Sequence, residues 1–304
     1  MKRALGIIPA RYASTRFPGK LLQDLCGQPV IVRTVNVALQ ATTLSDVWLA
    51  TDDARIGAAV SLNCPGVDVV DTSSHCPSGT DRLVEALRSK GMLPLPSPSS
   101  SSSSSSSSLS SMHTSPFPPA FTAATFPFDV VVNVQGDEPL LDPKHIDLVV
   151  KCLSNNPQAD IATLAVPLDP TCVQGQTDIS NPNVVKCVVD QDWNAMYFSR
   201  AVIPYNSSVS STSAEGLDTS GKTHYLKHIG LYAYRPHALL KFVATPPSAL
   251  ERTESLEQLR AMEMGMRIKV VQVASAEGGI DTPEQLAAAQ KKVGCAPVPT
   301  DIRH

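Results

Sequence analysis

Short apolar runs alternate with amphipathic segments along most of this 304-residue chain. Runs of this kind are typical of buried strands, and the segments between them place apolar residues at the spacing of one helix face. In chain order, the pattern predicts the strand ALGIIPA, the helix VIVRTVNVALQA opened by Pro29, the strand DVWLAT, the helix DARIGAAVSLN, the strand VDVVD, the helix TDRLVEALRSK, the strand DVVVNVQ, the helix DPKHIDLVVKCLSN and the strand DIATLAVPL. Continuous apolar strands need cover on both faces, so the pattern predicts an α/β three-layer domain with a mixed, mostly parallel sheet.

The pattern changes in the second half of the chain. NVVKCVVDQDWNAMYFSRAVIPY and HYLKHIGLYAYRP read as strands joined by turn residues, which predicts a β-hairpin-rich subregion that acts as a flap or a dimer-forming part. The chain then continues with a helix in LERTESLEQLRAMEMG, a strand in RIKVVQV and a helix in TPEQLAAAQKKV.

One segment has neither pattern. Residues 92–128 form a Ser/Pro tract without Asp, Glu, Lys or Arg, and it lies between a predicted helix and a predicted strand. Such composition predicts a disordered or loosely looped insertion. Long surface insertions add little closure entropy, so we expect one domain over residues 1–304 that carries this insertion. An inert linker is favoured over a phosphorylated or partner-binding arm.

Charge and cysteine content narrow the function classes. The formal net charge of -3 provides no global basic field, which argues against nucleic acid or an anionic membrane surface as the main partner. Seven cysteines without a CxxC pair argue against a disulfide framework or a structural zinc site. No run of about 18 apolar residues is present, and a first strand near Ala4 leaves no room for a signal peptide. We therefore expect a soluble, cytoplasmic protein.

Three cations follow the first predicted strand: Arg11, Arg16 and Lys20. In an open α/β sheet, ligands bind beyond the carboxyl ends of the strands, so this loop should lie at the binding edge. Several cations among small residues suit a triphosphate. The loop is neither a Walker loop nor a GxGxxG turn, and composition alone favours a solvated basic loop about as strongly.

Two carboxylates are expected at the same edge. Asp137 follows the strand of VNVQGDEP, and Asp281 precedes the last helix. A pair of carboxylates suits Mg²⁺, which takes its other ligands from phosphates and water. Two blander interpretations stay open: Asp281 belongs to a helix N-cap region with Pro283 as the first helical residue, and Asp137 lies in a polar turn.

Seven motifs together resemble a known family. IIPARYASTRFPGK, SGTDRL, VNVQGDEP, YFSRAVIPY, HIGLYAYR, LEQLR and DTPE occur in this order and are similar to the 3-deoxy-manno-octulosonate cytidylyltransferases, or CMP-Kdo synthetases. The resemblance covers essentially the whole chain except the Ser/Pro tract. It implies a nucleotidyltransferase (Rossmann-like) domain, usually a homodimer, that uses Mg²⁺ and CTP to activate the acidic sugar Kdo.

The resemblance also implies roles for matched positions. Arg11, Arg16 and Lys20 would hold the triphosphate, and Asp137 and Asp281 would bind Mg²⁺. The backbone at Ala10 with Ser78, Gly79 and Arg82 would frame the cytosine, and Gln135 would lie between nucleotide and sugar. The Kdo side would comprise Arg200, His228, Tyr232, Glu257 and Gln258. Plainer interpretations remain for several of these: a packed core histidine at 228, a core tyrosine at 232 or 234, an ordinary solvated helix face at LEQLR, and a helix cap at Ser78 or Thr80.

The implied reaction is an in-line attack of the anomeric hydroxyl of Kdo on the α-phosphorus of CTP, with release of pyrophosphate. The chain departs from the family at the insertion and at Cys76-Pro77, where a polar pair is expected. Two alternatives stay open: a cytidylyltransferase for sialic acid or another acidic sugar, and a catalytically silent nucleotide-binding or scaffold protein.

Overall fold

The described chain forms one nine-stranded mixed sheet. The structure is a computed structural model that describes residues 3–14, 16–93, 126–169, 179–206 and 225–294. The strands are β1 Ala4–Ala10, β2 Leu44–Thr51, β3 Asp68–Asp71, β4 Val130–Asn133, β5 Ile161–Leu168, β6 Lys186–Val189, β7 Ala195–Ser199, β8 Tyr225–Tyr234 and β9 Ile268–Gln272. The helices are α1 Val30–Gln40, α2 Ala54–Asn63, α3 Gly79–Ser89, α4 Pro143–Asn155, α5 Pro236–Ala244, α6 Ala249–Glu254, α7 Gln258–Glu263 and α8 Pro283–Val293, with a 3₁₀ turn at Lys20–Leu22.

The strand order is β3-β2-β1-β4-β8-β5-β9. Strands β3, β2, β1 and β4 are mutually parallel, and β9 is parallel to β5. Strand β8 is antiparallel to both β4 and β5. The β6–β7 hairpin attaches to β8 beside this main path. The predicted mixed, mostly parallel sheet and the hairpin-rich later part are therefore confirmed.

Helices cover both faces of the sheet, as continuous apolar strands require. On β1 the neighbours Ile7 and Ile8 are both fully buried, but they belong to two different core clusters because successive side chains of a strand point to opposite faces. The cluster around Ile8 contains residues of α1, α2, α4 and α8, and the cluster around Ile7 contains residues of α3, α5 and α7. This is the expected three-layer arrangement.

Local sequence signals explain where several helices begin. Pro29 precedes the first residue of α1, as predicted. Thr282 caps α8 through a capping box with Gln285, and Pro283 is its first residue, where a missing N–H does no harm.

The segment LERTESLEQLRAMEMG differs from its prediction, because it forms two short helices rather than one. Helix α6 ends at Ser255, which adopts a left-handed conformation with φ of 52°. The Glu254 side chain accepts hydrogen bonds from the Ser199 hydroxyl at 2.6 Å and the Arg200 backbone N–H at 3.0 Å, so the end of α6 is held against the end of β7. Helix α7 begins at Gln258, after Glu257. Helix α5 was not predicted.

Most of the Ser/Pro tract, residues 94–125, lies outside the described residues. The flanks of the range predicted for the insertion belong to the fold, since Leu93, Phe126 and Phe128 are buried in the α3 side of the core. The Phe128 ring meets the Trp48 ring edge-on at 6.3 Å.

Four cysteines of the described chain are free: Cys64, Cys76, Cys152 and Cys187. Cys26 is disulfide-bonded, which the sequence did not lead us to expect. Within the described ranges, no helix is both long and apolar enough to cross a bilayer.

Candidate active site

A cavity of about 400 Å³ opens at the carboxyl edge of β1 and β4. Polar side chains from five separate parts of the chain meet around it. It is lined by Pro9, Ala10, Arg11, Ser14, Arg16, Lys20, Leu21, Cys76, Pro77, Ser78, Gly79, Arg82, Gln135, Gly136, Asp137, Glu257 and Asp281. All residues that the sequence assigned to the triphosphate, the metal and the base line this one cavity.

The loop after β1 needs a glycine at its end. Gly19 has φ of +66°, and a Cβ there would lie 3.1 Å from the Tyr12 hydroxyl oxygen. Glycine avoids both the strain of this left-handed backbone and the close contact. The turn starts the 3₁₀ segment that begins at Lys20. Tyr12 is itself covered by the Arg55 guanidinium, 3.5 Å from the ring centre, so the loop is packed against α2.

Lys20 lies between the two predicted metal carboxylates. Its Nζ donates to Asp137 Oδ2 at 2.5 Å and to Asp281 Oδ1 at 2.7 Å. The lysine side chain is 13% exposed. Burial acts to lower the pKa of Lys20, but the charges and hydrogen bonds of Asp137 and Asp281 outweigh it and raise the pKa above its ordinary value. The ammonium therefore stays charged at neutral pH.

Backbone contacts bring the two carboxylates together across the sequence. The Ile280 N–H donates to the Asp137 carbonyl at 2.8 Å, which lays the segment before α8 against the loop after β4. Gly136 lets the same loop approach the end of β1 closely, because a Cβ there would lie 2.9 Å from the Pro9 carbonyl oxygen. Thr282, not Asp281, is the N-cap of α8, so the Asp281 carboxylate is free to face Lys20.

Arg16 and Arg11 complete the cationic wall. Arg16 Nη2 lies 2.9 Å from Asp281 Oδ2, with 67% of its side chain exposed. Arg11 is exposed at the same wall. Arg16 and Lys20 thus form ion pairs with the carboxylates of the site. A basic loop that was merely solvated would have no need of such pairs.

The amino end of α3 forms the opposite wall. Ser78 caps the helix by accepting a hydrogen bond from the Asp81 N–H at 3.2 Å, and it also lines the cavity. Both interpretations of this residue therefore hold. Arg82 is 3% exposed; its Nη1 donates to Thr72 Oγ1 at 2.6 Å and its Nη2 to Asp52 Oδ2 at 3.3 Å. These two hydrogen bonds fix the orientation of the Arg82 guanidinium at the cavity wall.

A second cavity of about 210 Å³ adjoins the first. The two cavities share Gly79, Gln135 and Glu257. The remaining lining residues are Thr80, Asn133, Gly230, Tyr232, Tyr234, Ser255, Leu256 and Gln258. Burial raises the pKa of Glu257, which also accepts a hydrogen bond from Thr80 Oγ1 at 3.0 Å. The break between α6 and α7 is what brings Ser255 to Gln258 to this wall.

Two of the residues assigned to the sugar side do not line either cavity. Arg200 donates to the backbone carbonyls of Glu254 at 2.8 Å, Pro182 at 2.9 Å and Ser255 at 3.4 Å. His228 is 8% exposed and lies behind Tyr232, with ring centres 5.3 Å apart. Tyr234, at 4% exposure, is the more deeply buried of the two tyrosines considered.

Sequence reasoning missed Asn133. It is 2% exposed, lines the second cavity, and its Oδ1 is buried without a hydrogen-bond partner among the described residues. Buried polar atoms are normally paired, so an unpaired one at a cavity wall indicates a ligand contact. The signal was an asparagine inside the apolar run VVVNV, which was predicted only to form a strand.

The acidic donors are few. Among the described residues, no group of three or more His, Cys, Asp and Glu side chains could hold a metal ion. Asp137 and Asp281 nevertheless direct oxygens at one point, since both contact the same ammonium. A hard divalent cation that takes its other ligands from phosphate and water fits such a pair.

Comparisons with known proteins agree with this geometry. The Cytidylyltransferase family model matches residues 5–92 and 114–268. A 3-deoxy-manno-octulosonate cytidylyltransferase of Protochlamydia amoebophila is 40% identical over 93% of this chain and 91% of the relative. The chain belongs to this cytidylyltransferase family. Its relative of the same name in Xanthomonas campestris pv. campestris is 41% identical, over 95% of this chain and 99% of the relative.

A solved member of the family has the same fold. The structure of CMP:2-keto-3-deoxy-manno-octonic acid synthetase complexed with CTP superposes with a TM-score of 0.73 at 32% identity, covering 96% of this chain and 98% of that one. The family model leaves residues 93–113 unmatched, which is where the Ser/Pro tract departs from the family pattern.

Proposed function

We propose that this protein transfers CMP from CTP to the anomeric hydroxyl of 3-deoxy-D-manno-octulosonate (Kdo), giving CMP-Kdo and pyrophosphate. One observation carries the proposal: a cation-rich cavity and a smaller, neutral-to-acidic cavity adjoin and share Gln135 and Glu257. The first suits a nucleoside triphosphate and the second a polyhydroxylated sugar. The sugar oxygen forms a bond to the α-phosphorus, the bond to the β-phosphate breaks, and the hydroxyl proton is released.

Arg11, Arg16 and Lys20 would bind the triphosphate. Their charges neutralise the negative charge that builds up on the leaving pyrophosphate, which is the main catalytic demand of phosphoryl transfer. Lys20 Nζ has three N–H groups and uses two of them on Asp137 and Asp281, so one is left to donate to a phosphate oxygen. Holding both reactants in line supplies much of the remaining acceleration.

We further propose that Asp137 and Asp281 hold Mg²⁺. Their oxygens already converge on one cation, which is the fit that a metal shared with the triphosphate requires. When bound, Mg²⁺ would neutralise phosphate charge and lower the pKa of the attacking hydroxyl. The two aspartates would bind and orient this ion, and Lys20 would remain beside them.

The amino end of α3 would frame the cytosine. Ser78 and Gly79 present the start of a helix, where free N–H groups and the helix dipole favour electronegative atoms. Arg82 would donate to acceptor atoms of the base, held in position by Asp52 and Thr72.

The sugar would lie against Gln135, Tyr232, Glu257 and Gln258, which meet at the second cavity. We also propose that His228 and Arg200 belong to the sugar side of the site. The Arg200 guanidinium donates to backbone carbonyls, so it would have to exchange at least one of those bonds for the sugar carboxylate.

The decisive assay measures pyrophosphate release and product mass with CTP, Mg²⁺ and either Kdo or sialic acid. We expect turnover with Kdo, little with sialic acid, and loss of turnover when EDTA removes divalent cations. Asp137→Asn and Asp281→Asn should each lower kcat by orders of magnitude, while Asp68→Asn, at the far edge of the sheet on β3, should not. Preference for sialic acid would favour the alternative substrate, and no turnover of either would favour a silent nucleotide-binding protein.

A homodimer and a cytoplasmic location are parts of the same proposal. The β6–β7 hairpin exposes Met196, 61% of whose surface is accessible, which supports this hairpin as the region that contacts a second copy. Light scattering coupled to gel filtration would give the mass, and a monomer at micromolar concentration would refute the dimer.

A further inference from the structure

A bulge interrupts the pairing of β5 with β8 beside the second cavity. Ala162 lies opposite Ala233, but Leu164 lies opposite Ile229, so two steps along β5 match four along β8. The extra residues of β8 include Gly230 and Tyr232, both of which line the second cavity. Bulges commonly re-aim side chains next to functional sites, and this one turns Tyr232 toward the proposed sugar position.

Thr163 of β5 faces this bulge with its hydroxyl. Thr163 is completely buried. Its Oγ1 lies 3.0 Å from the Ile229 carbonyl oxygen, 2.9 Å from the Leu231 carbonyl oxygen and 3.0 Å from His228 Nε2. The hydroxyl therefore meets both carbonyls that flank Gly230.

The proton count of this cluster decides the direction of each bond. A threonine hydroxyl has one proton, and a carbonyl oxygen only accepts. If His228 Nε2 were unprotonated, the hydroxyl proton would be needed there, and Oγ1 would then face two carbonyl oxygens at 3.0 Å or less without a proton between them. If Nε2 carries a proton, the ring donates to Oγ1 and the hydroxyl donates to a carbonyl. The second arrangement is favoured at this buried position, because it leaves one close O···O contact without a proton, whereas the first leaves two.

The surroundings keep the imidazole neutral. The Phe198 ring meets it edge-on with centres 5.0 Å apart, and the Tyr232 ring lies against it at 5.3 Å. Burial lowers the pKa of His228 to about 3. No hydrogen bond to Nδ1 is formed within the described part of the chain, where the ring bonds only to Thr163.

We propose that Thr163 is a positioning residue that holds His228 as the neutral tautomer protonated on Nε2, which leaves Nδ1 able only to accept a hydrogen bond. The inference rests on the proposed function in one respect, the assignment of His228 to the sugar side. A nitrogen that only accepts can bind a hydroxyl of a sugar acid and cannot bind its carboxylate. His228 lines neither cavity in the ligand-free structure; if the sugar reaches it, Nδ1 would accept from a hydroxyl, and the carboxylate would have to be bound by other groups.

The tautomer can be measured without turnover. Protein carrying ¹⁵N-labelled histidine rings, recorded by long-range ¹H–¹⁵N correlation, distinguishes a protonated from an unprotonated ring nitrogen, and His228→Gln identifies the signals. We expect Nε2 protonated and Nδ1 unprotonated in the wild type and in Thr163→Ser, which keeps the hydroxyl. Thr163→Val removes it and should give a mixture of tautomers. A protonated Nδ1 or an imidazolium at neutral pH in the wild type would overturn the proposal.

Steady-state kinetics provide an independent test. Thr163→Val should raise the KM for Kdo about tenfold while the KM for CTP stays within about twofold, and Thr163→Ser should restore the wild-type value. An unchanged tautomer in Thr163→Val would remove Thr163 from the explanation. If Thr163→Val does not fold, the wild-type and Thr163→Ser spectra still decide the tautomer. The expected spectra combined with no turnover of Kdo would refute the proposed function and leave the tautomer assignment intact.

Discussion

Replacing Lys20 by methionine would leave two carboxylates facing each other at the rim of the larger cavity. Asp137 Oδ2 and Asp281 Oδ1 lie 2.5 and 2.7 Å from the same nitrogen, so they are at most about 5 Å apart. Two like charges at that distance repel by about 3 kcal/mol at an effective dielectric constant of about 20. The two carboxylates are 26% and 32% exposed, and Arg16 remains on Asp281, so solvent and this cation reduce the repulsion. We expect the free energy of unfolding to fall by about 1–3 kcal/mol at neutral pH.

Urea unfolding of the ligand-free protein measures this loss directly from the shift in the midpoint. Lys292→Met is the matched control, because Lys292 also pairs with a carboxylate, Glu277, but the two side chains are 57% and 46% exposed. An exposed pair of this kind contributes about 0–1 kcal/mol. The Lys20 variant should therefore lose clearly more stability than the Lys292 variant.

Magnesium gives the same prediction a second readout. A divalent cation that binds only the folded state stabilises it, and in Lys20→Met it would replace the missing ammonium between the carboxylates. MgCl₂ should raise the midpoint of Lys20→Met more than that of the wild type. An Mg²⁺ effect equal in both proteins, or a Lys20 variant as stable as the Lys292 control, would refute the account of paired carboxylates.

Three further predictions concern the walls of the larger cavity. Asp52→Asn removes the negative charge that pairs with Arg82; the Asp52 and Arg82 side chains are 15% and 4% exposed. This change should raise the KM for CTP about tenfold, with a smaller change in kcat, as measured by steady-state kinetics. Gly136→Ala brings a Cβ within 2.9 Å of a backbone carbonyl oxygen at the end of β1. It should lower the free energy of unfolding, measured by urea unfolding, by about 1–3 kcal/mol. Unaltered stability would contradict the close packing. Burial and a hydrogen bond to Glu85 at 2.7 Å raise the pKa of Cys76 to about 12. Iodoacetamide should therefore alkylate Cys76 slowly at pH 8, and faster in Glu85→Gln, as followed by mass spectrometry. Equal rates in the two proteins would refute the role of Glu85.

The sheet and the larger cavity could be predicted because the relevant rules are local. Apolar runs mark the strands, and the carboxyl ends of parallel strands meet at one edge, so Lys20 and Asp137 had to lie near each other once both strands were recognised. Asp281 is a harder case. Its place before the last helix predicted the same edge, but its approach depends on the Ile280 to Asp137 backbone bond between segments far apart in the sequence, which no local pattern indicates.

The second cavity could not be derived in the same way, because its walls depend on contacts made only after folding. The helix break at Ser255 depends on a left-handed residue and on Glu254, whose partners lie at the end of β7. The bulge opposite Thr163 shifts which residues of β8 face the cavity, and a strict alternation along HYLKHIGLYAYR does not contain it. For this reason His228 lies behind Tyr232 rather than at the cavity wall.

The charges at the rim explain how one group of side chains serves the protein both before and after the nucleotide binds. Arg11, Arg16 and Lys20 supply three positive charges, and Asp137 and Asp281 supply two negative ones, so the ligand-free rim is nearly balanced and its ion pairs fix the loop in place. A triphosphate accompanied by Mg²⁺ brings a net negative charge together with a cation for the two aspartates. If the aspartates bind the metal as proposed, they would release Arg16 and Lys20 from much of their pairing, and these cations could donate to phosphate. Binding would then exchange one set of close ion pairs for another, so the loop could be preorganised without leaving charges unpaired in either state.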